Sequence, residues 1–214
     1  TTMIRMGMQA TVALMNAGSI RGNSDYDPNS FFTWSDLKAE IPYPTNMVSV
    51  NIPGRVLEET IRFSRQASRQ SPPVASGGYV HACSNIVYND DTEEIETIDG
   101  APIQPEQLYL TALPAQFFGG IDNLVPLLEW AKQSKVSIHP ETAVPAKIIL
   151  VELLSAILWL QLSSSFQDLD RNGDGILTRE DIRISVSHHF QEASVADLIV
   201  DNVMSIADIN NTGN

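Results

Sequence analysis

Residues 170–181, DRNGDGILTRED, constrain what this chain can fold into more than any other stretch of it. Oxygen-bearing side chains recur at every second position, Asp170, Asn172 and Asp174, and Gly175 follows where the chain must turn sharply through a positive backbone dihedral. A hard cation requires this kind of staggered oxygen cage. The carbonyl of Ile176, a water held by Thr178 and the carboxylate of Asp181 complete it. The expected metal ligands are therefore Asp170, Asn172, Asp174, Ile176, Thr178 and Asp181. Apolar residues predict a helix entering the loop, with Leu153, Leu154, Ile157, Leu158, Leu160 and Phe166, and one leaving it, with Ile182, Ile184, Val186 and Phe190.

The loop resembles that of the calcium-binding EF-hands, which implies an all-α EF-hand module over residues 146–214 with calcium as its cofactor and a protein as a further partner. It departs from the usual pattern at the last position, where Asp181 stands in place of glutamate. The shorter arm makes bidentate ligation harder, which predicts weaker calcium affinity and less discrimination against magnesium. A second loop starts at Asp208, and DINNTGN matches the first seven positions before the sequence ends, so an EF-hand pair with an incomplete second loop is expected. His188 and His189 are neighbours on the exiting helix, where adjacent side chains diverge and do not chelate one metal.

Composition narrows the remaining function classes. A net charge of -13 with only 13 Lys and Arg argues against a nucleic-acid surface, which needs clustered cations to displace counterions. Cys83 is the single cysteine, so neither an intrachain disulfide nor a multi-cysteine zinc site is available. The apolar run Ile148–Leu162 is short for a bilayer and contains Glu152, so it reads as a buried helix rather than a membrane span. The opening TTMIRMGMQA lacks the apolar run of a signal peptide, and an N-terminal truncation is expected.

Along the first two thirds, helix- and strand-like segments alternate irregularly. A helix tail leads into TVALM, a buried strand broken at Asn16-Ala17-Gly18. A short helix follows Ser35 and Asp36, and Met47–Ile52 reads as a half-buried strand. Pro53-Gly54 opens a helix whose Glu58 and Glu59 suit its dipole. Ile86–Tyr88 and Glu94–Ile98 predict a hairpin, Tyr109–Leu113 a further strand, and Asn123–Lys132 an amphipathic helix. Past Pro145 only helix-compatible sequence remains, so a boundary is expected between domains 1–145 and 146–214. The fold class is α+β followed by the all-α module.

Within 1–145, ALMNAGSIRGN places Asn16 at a strand end, then small residues that let a ligand approach the backbone, then Arg21, a planar cation that grips anions bidentately. Together with Thr33-Trp34-Ser35-Asp36-Leu37, Ile41-Pro42-Tyr43, MVSVNIPGRVLEETIRFS, SGGYVHACSNIVYN and YLTALPAQFFGG, this segment resembles the C-terminal domain of the 5'-nucleotidases. These are two-domain metallophosphoesterases. The resemblance implies a nucleoside or nucleotide partner, with Asn16 and Arg21 as the polar pair and Tyr43 as one of two rings sandwiching the base. The second ring is Phe117 or Phe118, and Phe117 is preferred. Where the family has Gly-Gly-Asp-Gly, this chain has Gly119-Gly120-Ile121-Asp122.

The family's hydrolytic chemistry uses two divalent metal ions held by an N-terminal domain. No Asp-x-His or Gly-Asn-His motif occurs here, nor a Gly-x-Ser-x-Gly elbow or a Walker loop, so no catalytic residue is assigned. Two readings stand. The first is a calcium-binding fragment of a 5'-nucleotidase-like hydrolase that supplies substrate recognition. The second is a non-catalytic calcium-binding interaction protein with a nucleotidase-like scaffold.

Overall fold

A computed structural model of the chain describes residues 1–27, 32–89, 92, 94–163, 169–170, 173–187 and 193–207. The chain divides into two compact units, Thr1–Ser30 with Ser35–Ile149, and Phe31–Trp34 with Leu150–Asn214. The change of unit falls inside a helix, a few residues beyond the expected Pro145.

The first unit mixes helices and strands. Helix α1 (Thr2–Gly7) leads into strand β1 (Val12–Asn16), all five residues of which are buried. A continuous apolar run of this kind suits an interior strand covered on both faces. Helix α2 (Trp34–Glu40) precedes β2 (Asn46–Pro53), and α3 (Gly54–Ser64) follows directly. Then come β3 (Val80–Ala82), β4 (Ile86–Tyr88), β5 (Ile95–Ile98), β6 (Ala101–Pro102), β7 (Leu108–Pro114), helix α4 (Val125–Gln133) and β8 (Val144–Pro145). The main sheet has the order β3-β1-β7-β2-β8, and β4-β5-β6 form a second, three-stranded sheet.

Helix α3 shows why the sequence folds this way locally. Val56, Leu57, Thr60, Ile61 and Ser64 are buried along one face, at the spacing of a 3.6-residue period. Its first residue, Gly54, is itself buried, and a Cβ there would lie 2.4 Å from the backbone oxygen of Gln104, so only glycine fits. Glu58 acts differently from the sequence expectation. It lies beyond the first turn, and its Oε1 accepts the Ile95 amide at 3.0 Å, tying α3 to the edge of β5 rather than complementing the dipole. The β4–β5 hairpin pairs as expected, with a register shift at Val87/Tyr88.

The topology of the main sheet decides where ligands can be held. β1 runs parallel to β7, while β2 is antiparallel to β7 and β3 antiparallel to β1. The ends of β1 and β7 and the starts of β2 and β3 therefore share one edge of the sheet. Four loops emerge there: 17–21 after β1, 41–45 before β2, 77–79 before β3 and 115–123 after β7.

In the second unit the described elements are helical: α5 (Ala146–Ser163) from Leu150 onward, α6 (Arg179–Ser187) and α7 (Ala193–Ala207). Ile182 and Val186 of α6 pack with Val195, Ile199, Val200 and Val203 of α7, and Leu158 and Trp159 cover this cluster. Arg179 pairs with Asp201, and Arg183 with Asp197 at 3.2 Å, bracing α6 against α7. Both pairs are exposed and contribute at most about 1 kcal/mol each. The apolar run of α5 is less buried than its sequence predicts, with Leu154 42% and Leu160 71% exposed. Among the described residues, no helix is long and apolar enough to cross a membrane.

Candidate functional site

The four loops at the common sheet edge carry the residues singled out from sequence. Asn16 ends β1 opposite Val80 and is buried, and the chain then tightens into a 3-10 turn over Ala17–Ser19. The Ser19 hydroxyl donates back to Asn16 Oδ1, fixing the amide orientation. Asn16 Nδ2 is thereby aimed outward, and it donates to Asp122 Oδ2 at 2.7 Å. Residues 106 positions apart meet because the parallel pairing of β1 with β7 delivers both turns to the same place. Asp122 has a φ of 66°, in the left-handed region that Asp tolerates better than most residues. Desolvation pushes its carboxyl pKa up, and the hydrogen bond from Asn16 offsets part of that rise.

The loop before β3 closes the other side. The amides of Ala17 and Gly18 donate to the carbonyls of Tyr79 and Gly77, both at 2.8 Å. A Cβ on Gly18 would sit 3.1 Å from the Gly77 oxygen, and one on Gly78 would sit 3.1 Å from the Asp122 Cβ. The small residues let three loops lie against one another. Arg65 supports this loop from behind, with its guanidinium 5.1 Å from the Tyr79 ring centre and 4.4 Å from that of Tyr88.

Arg21 is exposed, and its Nε donates to the Gly18 carbonyl at 2.8 Å. Its guanidinium carbon lies 5.8 Å from the ring centre of Tyr43, which is 54% exposed. Asn16 and Arg21 thus stand in one turn, Asn16 in contact with Asp122 and Arg21 with the Tyr43 ring. Phe117 does not join them. It is 0% exposed, enclosed where the chain turns after β7, and a ring closed on all sides has no face to offer a ligand. Phe118, its neighbour, is only partly buried. The preference for Phe117 as the second stacking ring is corrected accordingly.

Asp122 is the partner of Asn16 that sequence reasoning passed over. Its signal was the Gly-Gly-x-Asp order just past an aromatic pair, but nothing local to that segment points to Asn16.

In the second unit, Asp170 anchors its own loop. Its Oδ1 accepts the amides of Gly173 at 2.8 Å and Asp174 at 3.2 Å, and its Oδ2 that of Gly175 at 2.8 Å. Gly173 and Gly175 both have positive φ, 69° and 78°, and the Asp174 carboxylate accepts the Ile176 amide at 2.8 Å. Asp181 lies in the first turn of α6, and its Oδ2 accepts the Thr178 amide at 2.9 Å and the Thr178 hydroxyl at 2.7 Å. The Asp181 amide donates in return to the Thr178 hydroxyl at 3.4 Å, a reciprocal cap of the kind made by Ser/Thr-x-x-Glu. Among the described residues, no three His, Cys, Asp or Glu side chains gather as a metal-ligand group. Asn172, Phe166, His188, His189, Phe190 and the second loop from 208 lie outside the described residues.

Comparisons with known proteins agree with the first unit. The family described as "5'-nucleotidase, C-terminal domain" matches residues 1–129. No curated protein sequence matches the chain. Among solved structures, the sulfate thiohydrolase SoxB of Thermus thermophilus is similar with a TM-score of 0.51 at 16% identity, covering 73% of this chain and 29% of its own. The NAD nucleotidase of Haemophilus influenzae matches with a TM-score of 0.48 at 16% identity, over 70% of this chain and 26% of its own. A 5'-nucleotidase precursor of Thermus thermophilus matches with a TM-score of 0.44 at 18% identity, over 60% and 27%. The chain therefore spans less than a third of the length of these structures, and at such identities the likeness concerns the fold alone. The family match covers more than half of the 214 residues, and on that ground the chain belongs to the 5'-nucleotidase C-terminal domain family.

Proposed function

We propose that residues 1–145 are the nucleoside- or nucleotide-recognition part of a 5'-nucleotidase-like hydrolase. The observation that carries this reading is the gathering of two contact groups, Asp122–Asn16–Ser19 and Gly18–Arg21–Tyr43, at one sheet edge. Tyr43 offers an exposed ring on which a base can stack, with its hydroxyl in water. Phe118 supplies the second ring. The Asn16 amide and Asp122 carboxylate form a donor and acceptor pair suited to sugar hydroxyls, and Arg21 takes an anionic group. The two divalent ions of the hydrolytic step would be held by a separate N-terminal domain. The residues of this chain bind and orient the substrate.

Loop 170–181 is the calcium site of an EF-hand module in this reading, supported by its all-oxygen donor set and the two positive-φ glycines. Calcium, and a protein docking on the module, are its expected partners. Titrating the chain with AMP and with adenosine tests the recognition role. Arg21→Ala should weaken AMP more than adenosine, and Tyr43→Ala should weaken both. Unchanged affinities in both variants would remove the site assignment and leave the interaction-scaffold reading.

A further inference from the structure

The loop that presents Arg21 has no regular structure of its own. Residues 21–27 are exposed, apart from a half-buried Gly22, and a cation on such a segment would ordinarily sample many orientations. A guanidinium grips an oxyanion with two parallel N–H groups only when its plane is held. The Nε bond to Gly18 fixes one side of that plane, and the rest of the loop is fixed by a residue of another element, Glu40, the last residue of α2.

Glu40 holds the loop at three points. Its backbone oxygen accepts the Arg21 amide at 2.8 Å. Its Oε1 accepts the Tyr26 hydroxyl at 2.7 Å, and that bond is the main reason the Tyr26 pKa is pushed up to about 12. Between these two points the carboxylate lies flat against Gly22. A Cβ at that position would be 1.9 Å from Oε1 and 2.2 Å from Cδ. Any side chain at position 22 therefore evicts the carboxylate from its seat. Glu40 is half-buried, its carboxylate takes the Tyr26 hydroxyl while the Arg21 guanidinium is bonded to Gly18, and it therefore immobilises the segment that carries the charge without engaging the charge itself.

We infer that Glu40, seated on Gly22 and bonded to Tyr26, is a positioning residue for the Arg21 guanidinium and thereby sets the preference of the site for phosphorylated over unphosphorylated nucleosides. The inference rests on the reading of Arg21 as an anion-binding residue. Glu40 touches no substrate and acts only through the loop.

The test uses the 214-residue chain and AMP as probe, with adenosine as the uncharged comparison. Glu40→Ala and Gly22→Ala should each weaken AMP binding by about tenfold, a typical coupling for residues in one network, and leave adenosine within about twofold. Gly22→Ala keeps Glu40 itself, so it serves even where Glu40→Ala folds poorly. Glu40→Gln should stay within about threefold for AMP, because an amide oxygen still accepts from Tyr26 and still fits over Gly22. In an Arg21→Ala background, Gly22→Ala should cause no further loss. Equal losses in both backgrounds, or equal losses for AMP and adenosine, would mean general loosening and overturn the positioning role. So would full AMP affinity in Glu40→Ala and Gly22→Ala where Arg21→Ala binds weakly. If Arg21→Ala alone binds AMP as the unmodified chain does, the underlying reading of Arg21 fails, and the inference fails with it.

Discussion

Phe117 and Phe118 are chemically identical neighbours, and replacing each by alanine should have opposite consequences. Phe117 has 0% exposure. Burying a phenylalanine side chain is worth about 3 kcal/mol, and the cavity left on truncation raises the total loss to about 3–5 kcal/mol. In a unit of this size each kcal/mol lowers the melting temperature by about 2–4 °C, so Phe117→Ala should melt about 10 °C lower. Phe118 is only partly buried, so Phe118→Ala should cost about 1 kcal/mol. It should instead weaken AMP and adenosine alike through loss of a stacking surface. Thermal unfolding followed by circular dichroism, alongside ligand titration of both variants at a temperature where each is folded, reads the two effects separately. A Phe117→Ala protein that loses less than about 1 kcal/mol while its nucleoside affinity collapses would show that the ring is accessible and that the burial argument is wrong.

Asp122 should make unfolding stability pH-dependent. Its folded-state pKa is raised by desolvation, so the folded state binds the proton more tightly, and this contribution to stability is present at low pH and lost as pH rises through the raised value. Asp122→Asn keeps an acceptor for Asn16 and should flatten that part of the denaturation profile, and an unchanged profile would exclude Asp122 as its source. Cys83 is 2% exposed, and burial pushes its thiol pKa up, so an aromatic disulfide reagent should label it only on unfolding, whereas stoichiometric labelling within minutes in native buffer would contradict that placement. Asp181→Glu should tighten calcium binding measured by equilibrium titration and favour calcium over magnesium, because the longer arm reaches the ion while still capping α6; unchanged affinity would sink the ligand role of that position.

Local pattern carried much of the fold. The fully apolar VALM run announced a covered strand, the spacing of Val56, Leu57 and Ile61 announced α3, and the segments around 86–98 announced a hairpin. These features depend on residues close in sequence. The two-residue strand β8 was not legible, because its pairing with Asn46 and Met47 is tertiary and leaves no periodicity. The same limit applied at the site. Asn16 and Arg21 stand in one short turn and could be named directly, but the Asn16–Asp122 bond depends on β1 lying parallel to β7. The choice between Phe117 and Phe118 turned on the orientation of a 3-10 turn after β7, which two identical residues do not encode. Glu40 was invisible for a related reason, since its seat exists only once the loop folds back over Gly22.

The central claim is that one edge of the main sheet recognises a nucleotide. Adding AMP to the isotopically labelled chain and mapping the amide resonances that move tests it most directly. Shifts concentrated at residues 16–22, 43, 77–79 and 118–122 are the predicted result. Saturating shifts elsewhere, or none at millimolar AMP, would contradict it.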